Sequence, residues 1–198
     1  MARKATFDRD KIVAKARDLF WRKGFHATSL KDLEAALELK PGSIYAAFHS
    51  KEALFAEALK DYAATSGSDL ERALKADTSP LDSLITHARS LGTLCDTNRP
   101  SQACMLVKTI LEHPDKDAPA RKLADRLIEE AGARFISGFR AAKAKGEIAA
   151  DANPERLGRK FQSDVIGLRT FAQRADSAEM VRDLAEDLAK SVEVLRVA

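Results

Sequence analysis

The feature that most constrains this chain is the spacing of its apolar residues, which recur every three or four positions between proline and glycine clusters. That period belongs to amphipathic helix. No stretch shows the sustained alternation rich in Val, Ile and Thr that a half-buried strand needs. A chain built this way buries its apolar stripes by packing helix on helix, so the expected fold class is all-α. With 198 residues, of which 45% are apolar and 32% charged, there is enough chain for a real core. The same balance excludes a disordered or collagen-like protein.

The pattern divides into about nine helices. The first is expected from Asp8 to Lys23, with Ile12, Ala16, Leu19 and Phe20 on one face and Gly24 as its stop. A short second helix covers Leu30–Leu37, with Ser29 as cap and Asp32 in capping-box position. The third opens at Pro41 and ends near His49; the fourth follows Ser50 and runs to about Lys75. After a break at Asp77–Pro80, one helix is expected over Leu81–Thr97 and another over Gln102–Leu111. The two prolines of His113–Pro119 mark a loop. Long helices then run from about Ala120 to Lys145, from Pro154 through Phe171, and from Ser177 to Val197.

Charge is unevenly placed. Met1–Lys60 holds 12 basic and 8 acidic residues, and Met1–Lys31 holds nine against three, although the whole chain is only +3. A basic head on a near-neutral body suits an anionic polymer, the alternative being chance clustering on a solvated surface. No window reaches the ~18 apolar residues of a membrane span, and the start lacks the apolar run of a signal peptide. Two cysteines make no disulfide framework, so the cytoplasm is the expected compartment and no membrane partner is expected. Cys95, Cys104 and His113 stand nine residues apart, without the close pairs of zinc sites, so neither metal nor cofactor is expected. His87 and His113 are assigned to solvent or loops.

Two short helices about four residues apart, the second only two turns long, read as helix-turn-helix. Around them lie Gly24-Phe25-His26-Ala27-Thr28-Ser29-Leu30, Pro41-Gly42-Ser43-Ile44-Tyr45-Ala46-Ala47-Phe48 and Ser50-Lys51-Glu52-Ala53-Leu54-Phe55. This ungapped stretch, about a quarter of the chain, resembles the N-terminal domain of the TetR family of bacterial transcriptional regulators. The resemblance implies a three-helix DNA-binding domain over 1–50 and a helical effector-binding and dimerisation domain over 51–198. It also implies Lys31 and Lys40 as contacts to bases or phosphate and Arg3 and Lys4 as a minor-groove arm. The expected partners are double-stranded DNA, a second copy of the chain and a small-molecule effector of unknown identity.

Independent physical reasons point the same way. A recognition helix needs small residues in its first turn to approach base edges, and Gly42 and Ser43 meet that need. Ile44 and Phe48 would hold the helix against Leu19, Phe20 and Leu33. Tyr45 faces outward, its hydroxyl within reach of phosphate; half-buried packing is the alternative. Lys51 stands where helix amides favour phosphate, the alternative being a solvated lysine. Thr28 and Ser29 offer hydroxyls and amides to the backbone, and His26 and His49 are further candidates. The chain departs from the family where Glu38 replaces a helix-ending glycine, Lys40 a capping serine and Ala47 a frequent histidine. Glu38 is therefore expected either in a left-handed conformation or in a different turn.

In the body, Val181, Leu184, Leu188 and Leu195 form a narrow helical seam. With Phe161, Val165 and Leu168 they are the candidate dimer interface, an intramolecular core being the alternative. Cys104, Met105, Phe135, Phe139 and Phe161 are the candidate effector-binding residues, against simple core. Cys104-Met105-Leu106-Val107 looks like a segment through which some family members sense oxidants or electrophiles. Lys108 and Arg99 are the nearest cations in sequence, and buried structural cysteines are the alternative. No nucleophile elbow, phosphate loop or carboxylate pair suggests an enzyme. The favoured reading is an effector-responsive repressor on a palindromic operator, ahead of a helical enzyme or an interaction scaffold that has lost DNA binding.

Overall fold

In the computed structural model the described residues are 9–75, 79–174 and 176–197. They form nine α-helices and one 3₁₀ helix: α1 (Arg9–Lys23), α2 (Leu30–Leu37), α3 (Pro41–Phe48), α4 (Lys51–Lys75), α5 (Pro80–Ser90), the 3₁₀ helix Leu91–Asp96, α6 (Met105–Glu112), α7 (Pro119–Ala144), α8 (Pro154–Arg174) and α9 (Ala178–Glu193). An isolated antiparallel bridge joins Ile148 to Arg196. No described helix is long and apolar enough to cross a membrane. Arg3, Lys4 and Asp77 lie outside the described residues.

Three boundaries differ from expectation. The helix expected over Leu81–Thr97 leaves α geometry after Ser90 and tightens into 3₁₀ at Leu91. That segment packs beneath α9, where a Cβ on Gly92 would stand 3.4 Å from the Arg182 backbone. The helix expected from Gln102 begins at Met105, because Gln173 Oε1 accepts from the Ser101 hydroxyl and from the amides of Gln102 and Ala103. The last helix stops at Glu193 instead of Val197, since the Val197 amide donates to the Glu147 carbonyl and closes the Ile148–Arg196 bridge.

Two apolar cores result. One joins α5, the 3₁₀ helix, the second half of α7, α8 and α9 around Leu84, Phe139, Phe161 and Val181. The other packs Phe20, Leu33, Ile44 and Phe48 from α1–α3 against Leu54, Phe55 and Leu59 of α4, and continues into Met105 and Leu106 of α6 and Leu127 of α7. The 25-residue α4 therefore gives its first half to the N-terminal core and Leu70 to the other.

The N-terminal unit is set by its caps. The Asp32 amide donates to Ser29 Oγ, and Asp32 Oδ2 accepts from both the Ser29 amide and hydroxyl, completing a capping box. Helix α2 ends at Glu38 with φ 56° and ψ 39°, left-handed, its carboxylate 2.9 Å from Lys15 Nζ. A non-glycine residue in that region costs roughly 1–2 kcal/mol. At the far end of α3, His49 also has positive φ (67°), so the second helix of the motif is bracketed by two constrained residues. Lys40 starts α3 without a side-chain cap, and Pro41 occupies the first turn.

Two consequences can be measured. Glu38→Gly removes the left-handed penalty, and the exposed pair with Lys15 is too weak to offset it. Its melting temperature should rise by about 2–4 °C in differential scanning calorimetry. The Lys23 ammonium, followed by the Ser29 amide and hydroxyl, holds the Asp32 carboxyl well below its usual range. A depressed folded-state value contributes stability above the carboxyl's ordinary range and loses it as pH falls toward the depressed one. Urea midpoints should therefore fall more shallowly on acidification in Asp32→Asn than in the parent, below about pH 4.

Candidate nucleic-acid interface and ligand cavity

The exposed surface around α3 gathers the residues expected to meet DNA. Lys40, Gly42, Ser43 and Tyr45 are exposed on its first two turns, Lys31 is exposed at the start of α2, and Lys51 is half-buried in the first turn of α4. Tyr45 keeps 44% of its surface, while Ile44 and Phe48 on the opposite face are 1% exposed. Gly42 is uncrowded: a Cβ there would meet nothing within 4 Å. Packing within the chain therefore does not require glycine at this position. The Lys51 ammonium lies 4.3 Å from the centroid of the Phe25 ring, a cation–π contact that steadies it.

Two expected contacts are differently employed. Thr28 is 1% exposed, its hydroxyl donates to the Gly24 carbonyl at 2.6 Å and its amide to Phe25. Ser29 spends its hydroxyl and amide on Asp32. In this conformation both residues shape the turn into α2, with their hydroxyls and amides engaged within the chain. The basic head is also partly neutralised. Arg9 pairs with Glu57, Lys15 with Glu38, Arg17 with Asp18 and Asp61, and Lys23 with Asp32. Among the described residues Lys31 and Lys40 have no carboxylate partner. Sequence reasoning missed Arg9, which lies 4.4 Å from the Phe48 ring and donates to the Ala47 carbonyl, closing the end of α3.

The body holds a cavity of about 100 Å³ walled by α4, α6, α7 and α8, with His87 of α5 and Leu91 of the 3₁₀ helix at its side. Of the candidate effector residues, Cys104 and Phe135 line it; Met105, Phe139 and Phe161 do not. Met105 turns into the N-terminal core, and Phe139 and Phe161 stack edge-on 6.0 Å apart in the other. Helical period put all five on apolar stripes but could not tell which part of a stripe faces a void. His87, expected at the surface, is half-buried 5.6 Å from the Phe135 ring and lines the cavity. His113 packs 4.9 Å from the His26 ring. Tyr62 and Arg169 also reach the cavity and carried no sequence signal, being single polar residues on long helices. Burial raises the Tyr62 hydroxyl above its ordinary range.

Lys108 and Arg99, the nearest cations in sequence, direct their side chains to other groups, although the Lys108 amide donates to the Cys104 carbonyl. Lys108 donates to the carbonyls of Trp21 and Arg22, and Arg99 Nε donates to the Thr97 hydroxyl. Burial lowers the Lys108 ammonium below its usual value. Both cysteines are free thiols, and no metal-binding cluster occurs among the described residues.

Helix α6 links cavity and motif. Cys104 and Leu106 face the cavity at its start, while the Lys108 bonds hold the last turn of α1. Glu112 Oε2 accepts from the Phe25 amide at 2.9 Å. Gly24, at φ 86°, comes so close that a Cβ would overlap the Glu112 carboxylate at 2.0 Å, so this turn requires glycine.

On the outer face of α8 and α9, a groove is lined by Gly167, Leu168, Phe171, Leu184 and Leu188. Of the expected dimer residues, Leu184 is the most open at 40%. Leu168 and Leu188 border the groove, and Leu195 packs at the edge of the body core. Phe161, Val165 and Val181 are enclosed within the chain, because a helix in a bundle spends its widest apolar arc on its own core. They form no outward surface.

The sequence pattern of the bacterial regulatory proteins of the tetR family matches residues 12–58, from α1 into α4. The HTH-type transcriptional repressor ComR of Escherichia coli is 28% identical over 186 residues, 92% of this chain and 88% of ComR. The repressor BdcR of the same organism is 30% identical over 118 residues, 60% of this chain and 58% of BdcR. Among solved structures, a cysteine variant of the TetR family transcriptional regulator CifR, complexed with 26-bp double-strand operator DNA, superposes with a TM-score of 0.85. It is 28% identical, with 96% of this chain and 99% of that one covered. The N-terminal motif thus matches the tetR family of bacterial regulatory proteins over residues 12–58, and the chain is similar along nearly its whole length to regulators of that family in sequence and helical architecture.

Proposed function

We propose that this protein is a ligand-responsive transcriptional repressor that binds a palindromic operator as a homodimer and is released by an effector held in the C-terminal body. The observation that carries the reading is the exposed first turn of α3. Its small residues Gly42 and Ser43 are exposed together with Tyr45 on a helix whose inner residues Ile44 and Phe48 are buried, with Lys40 exposed at its N-cap and Lys31 exposed at the start of α2. ComR and BdcR are described as repressors, and CifR is seen on operator DNA; both support the same reading. Residues 1–50 act as reader and 51–198 as sensor and pairing unit, the first half of α4 packing into the reader's core. The α8–α9 groove around Leu184 is the pairing face. A two-fold pair would set two α3 helices one turn of duplex apart. The protein has no catalytic role and works in the cytoplasm.

Effector control needs a link between cavity and motif, and α6 is that link. A ligand that favours a shifted α6 would move the end of α1 through Lys108 and Glu112, changing the spacing of the two α3 helices. Only a difference in affinity between the two arrangements can drive release.

A gel shift with DNA from the gene's own upstream region should give a sequence-specific, salt-sensitive complex; its absence across such fragments would overturn the reading. Gly42→Ala separates DNA contact from folding. It should stabilise the free protein by about 0.5–1 kcal/mol and still weaken operator binding, because the added methyl meets the groove. Leu184→Glu should convert the dimer to a folded monomer in sedimentation, with operator affinity lost in parallel.

A further inference from the structure

We infer that the cavity takes a small organic monocarboxylate, its apolar tail among α6, α7 and α8 and its carboxylate on the Nε and Nη2 of Arg169. The inference rests on the effector-cavity reading above and names the ligand's chemistry.

Arg169 is 8% exposed, and its Nε and Nη2 are buried without a hydrogen-bond partner. A guanidinium does not shed its proton in a protein, so burial leaves a charge that must be met by a partner in some state of the molecule. These two nitrogens send parallel N–H bonds from one edge of the guanidinium plane, which matches the two oxygens of a carboxylate. Among the described residues that line the cavity there is no Asp or Glu to serve instead. Beyond Arg169 the lining is mostly hydrocarbon, including Leu106, Ile128, Phe135, Val165 and Ile166. Arg134 also lines the cavity, half-buried beside Gly67, but Arg169 is the arginine held 8% exposed with an unpartnered edge in a mostly apolar wall, an arrangement that suits a carboxylate on a hydrocarbon tail.

Arg169 also borders a second, larger void that it shares with Tyr62, Ser66 and His87 and that reaches exposed Asn98 and Arg99. Arg169 thus lies between the apolar cavity and a void that reaches exposed residues. Its Cζ lies 5.9 Å from the Trp21 ring centroid, and Trp21 packs edge-on against Tyr62 at 5.0 Å. A carboxylate on Arg169 therefore changes the charge seen by the residue that ties α1 to the body.

Trp21 is the only tryptophan, so its emission reports the site directly. The full-length protein is titrated at neutral pH with straight-chain carboxylates from butanoate to decanoate and with phenylacetate, each beside its primary amide. At least one acid should bind saturably, and its amide about tenfold or more weaker, the loss expected when charge-assisted hydrogen bonds are removed. Arg169→Gln should abolish the preference for acid over amide. Arg169→Lys, which keeps the charge without the fork, should retain part of it and serves if the glutamine variant does not fold. Equal binding of acid and amide, or undiminished acid binding by Arg169→Gln, overturns the carboxylate assignment and leaves the effector cavity standing. Tighter binding of hexyl phosphate than of hexanoate also overturns it. No binding of any acid or amide overturns both the assignment and the cavity reading.

Discussion

The buried indole of Trp21 is the contact on which the relation between the two parts of this protein depends. It lies at the end of α1, 6% exposed, with its Nε1–H donating to the Ala103 carbonyl at 2.7 Å. Tyr62 of α4 packs against one side of its ring and Arg169 of α8 lies over it. Its own carbonyl accepts from Lys108 of α6. One side chain and its backbone thus meet the segment before α6, α4, α6 and α8. Truncating a buried Trp typically costs about 3–5 kcal/mol, a large share of the 5–15 kcal/mol that holds a domain together. The N-terminal unit is therefore not a bead on a linker. Its position is set by the same residues that wall the cavity.

That arrangement explains why α6 is short and heavily tied. Its start touches the cavity, its middle and end grip α1 and the turn at Gly24, and Arg121 of α7 donates to the carbonyls of Ile110 and His113 at its far end. A small change at Cys104, Leu106 or Arg169 has few ways to relax except through these contacts. Close-packed interfaces move between discrete arrangements rather than yielding gradually, which suits a switch between DNA-binding and released states.

The motif was legible because its demands are local. Gly24, the Ser29–Asp32 box, Pro41 and Ser50 are read from chemistry within four residues, and the structure places helix ends at them. Glu38 shows how far such reading goes: the missing glycine pointed to a left-handed residue or an altered turn, and the backbone is left-handed. Thr28 shows where it stops. A threonine beside a helix start looks available for phosphate, yet the chain folds over it and its hydroxyl finds the Gly24 carbonyl. The net charge of the basic head likewise does not say which cations are free, because Glu57 and Asp61, distant in sequence from Arg9 and Arg17, return on α4 to pair with them.

The sequence by itself determined an all-α chain, the helix-turn-helix near its start and the family to which that motif belongs. These follow from short-range periodicity, capping and turn chemistry. Only the tertiary structure decided which apolar residues enclose a void, which face α8 and α9 leave uncovered, and that Arg169 lies buried with an unpaired edge. Those properties arise where side chains far apart in the chain converge, and helical period records that a residue faces inward without recording what it meets there.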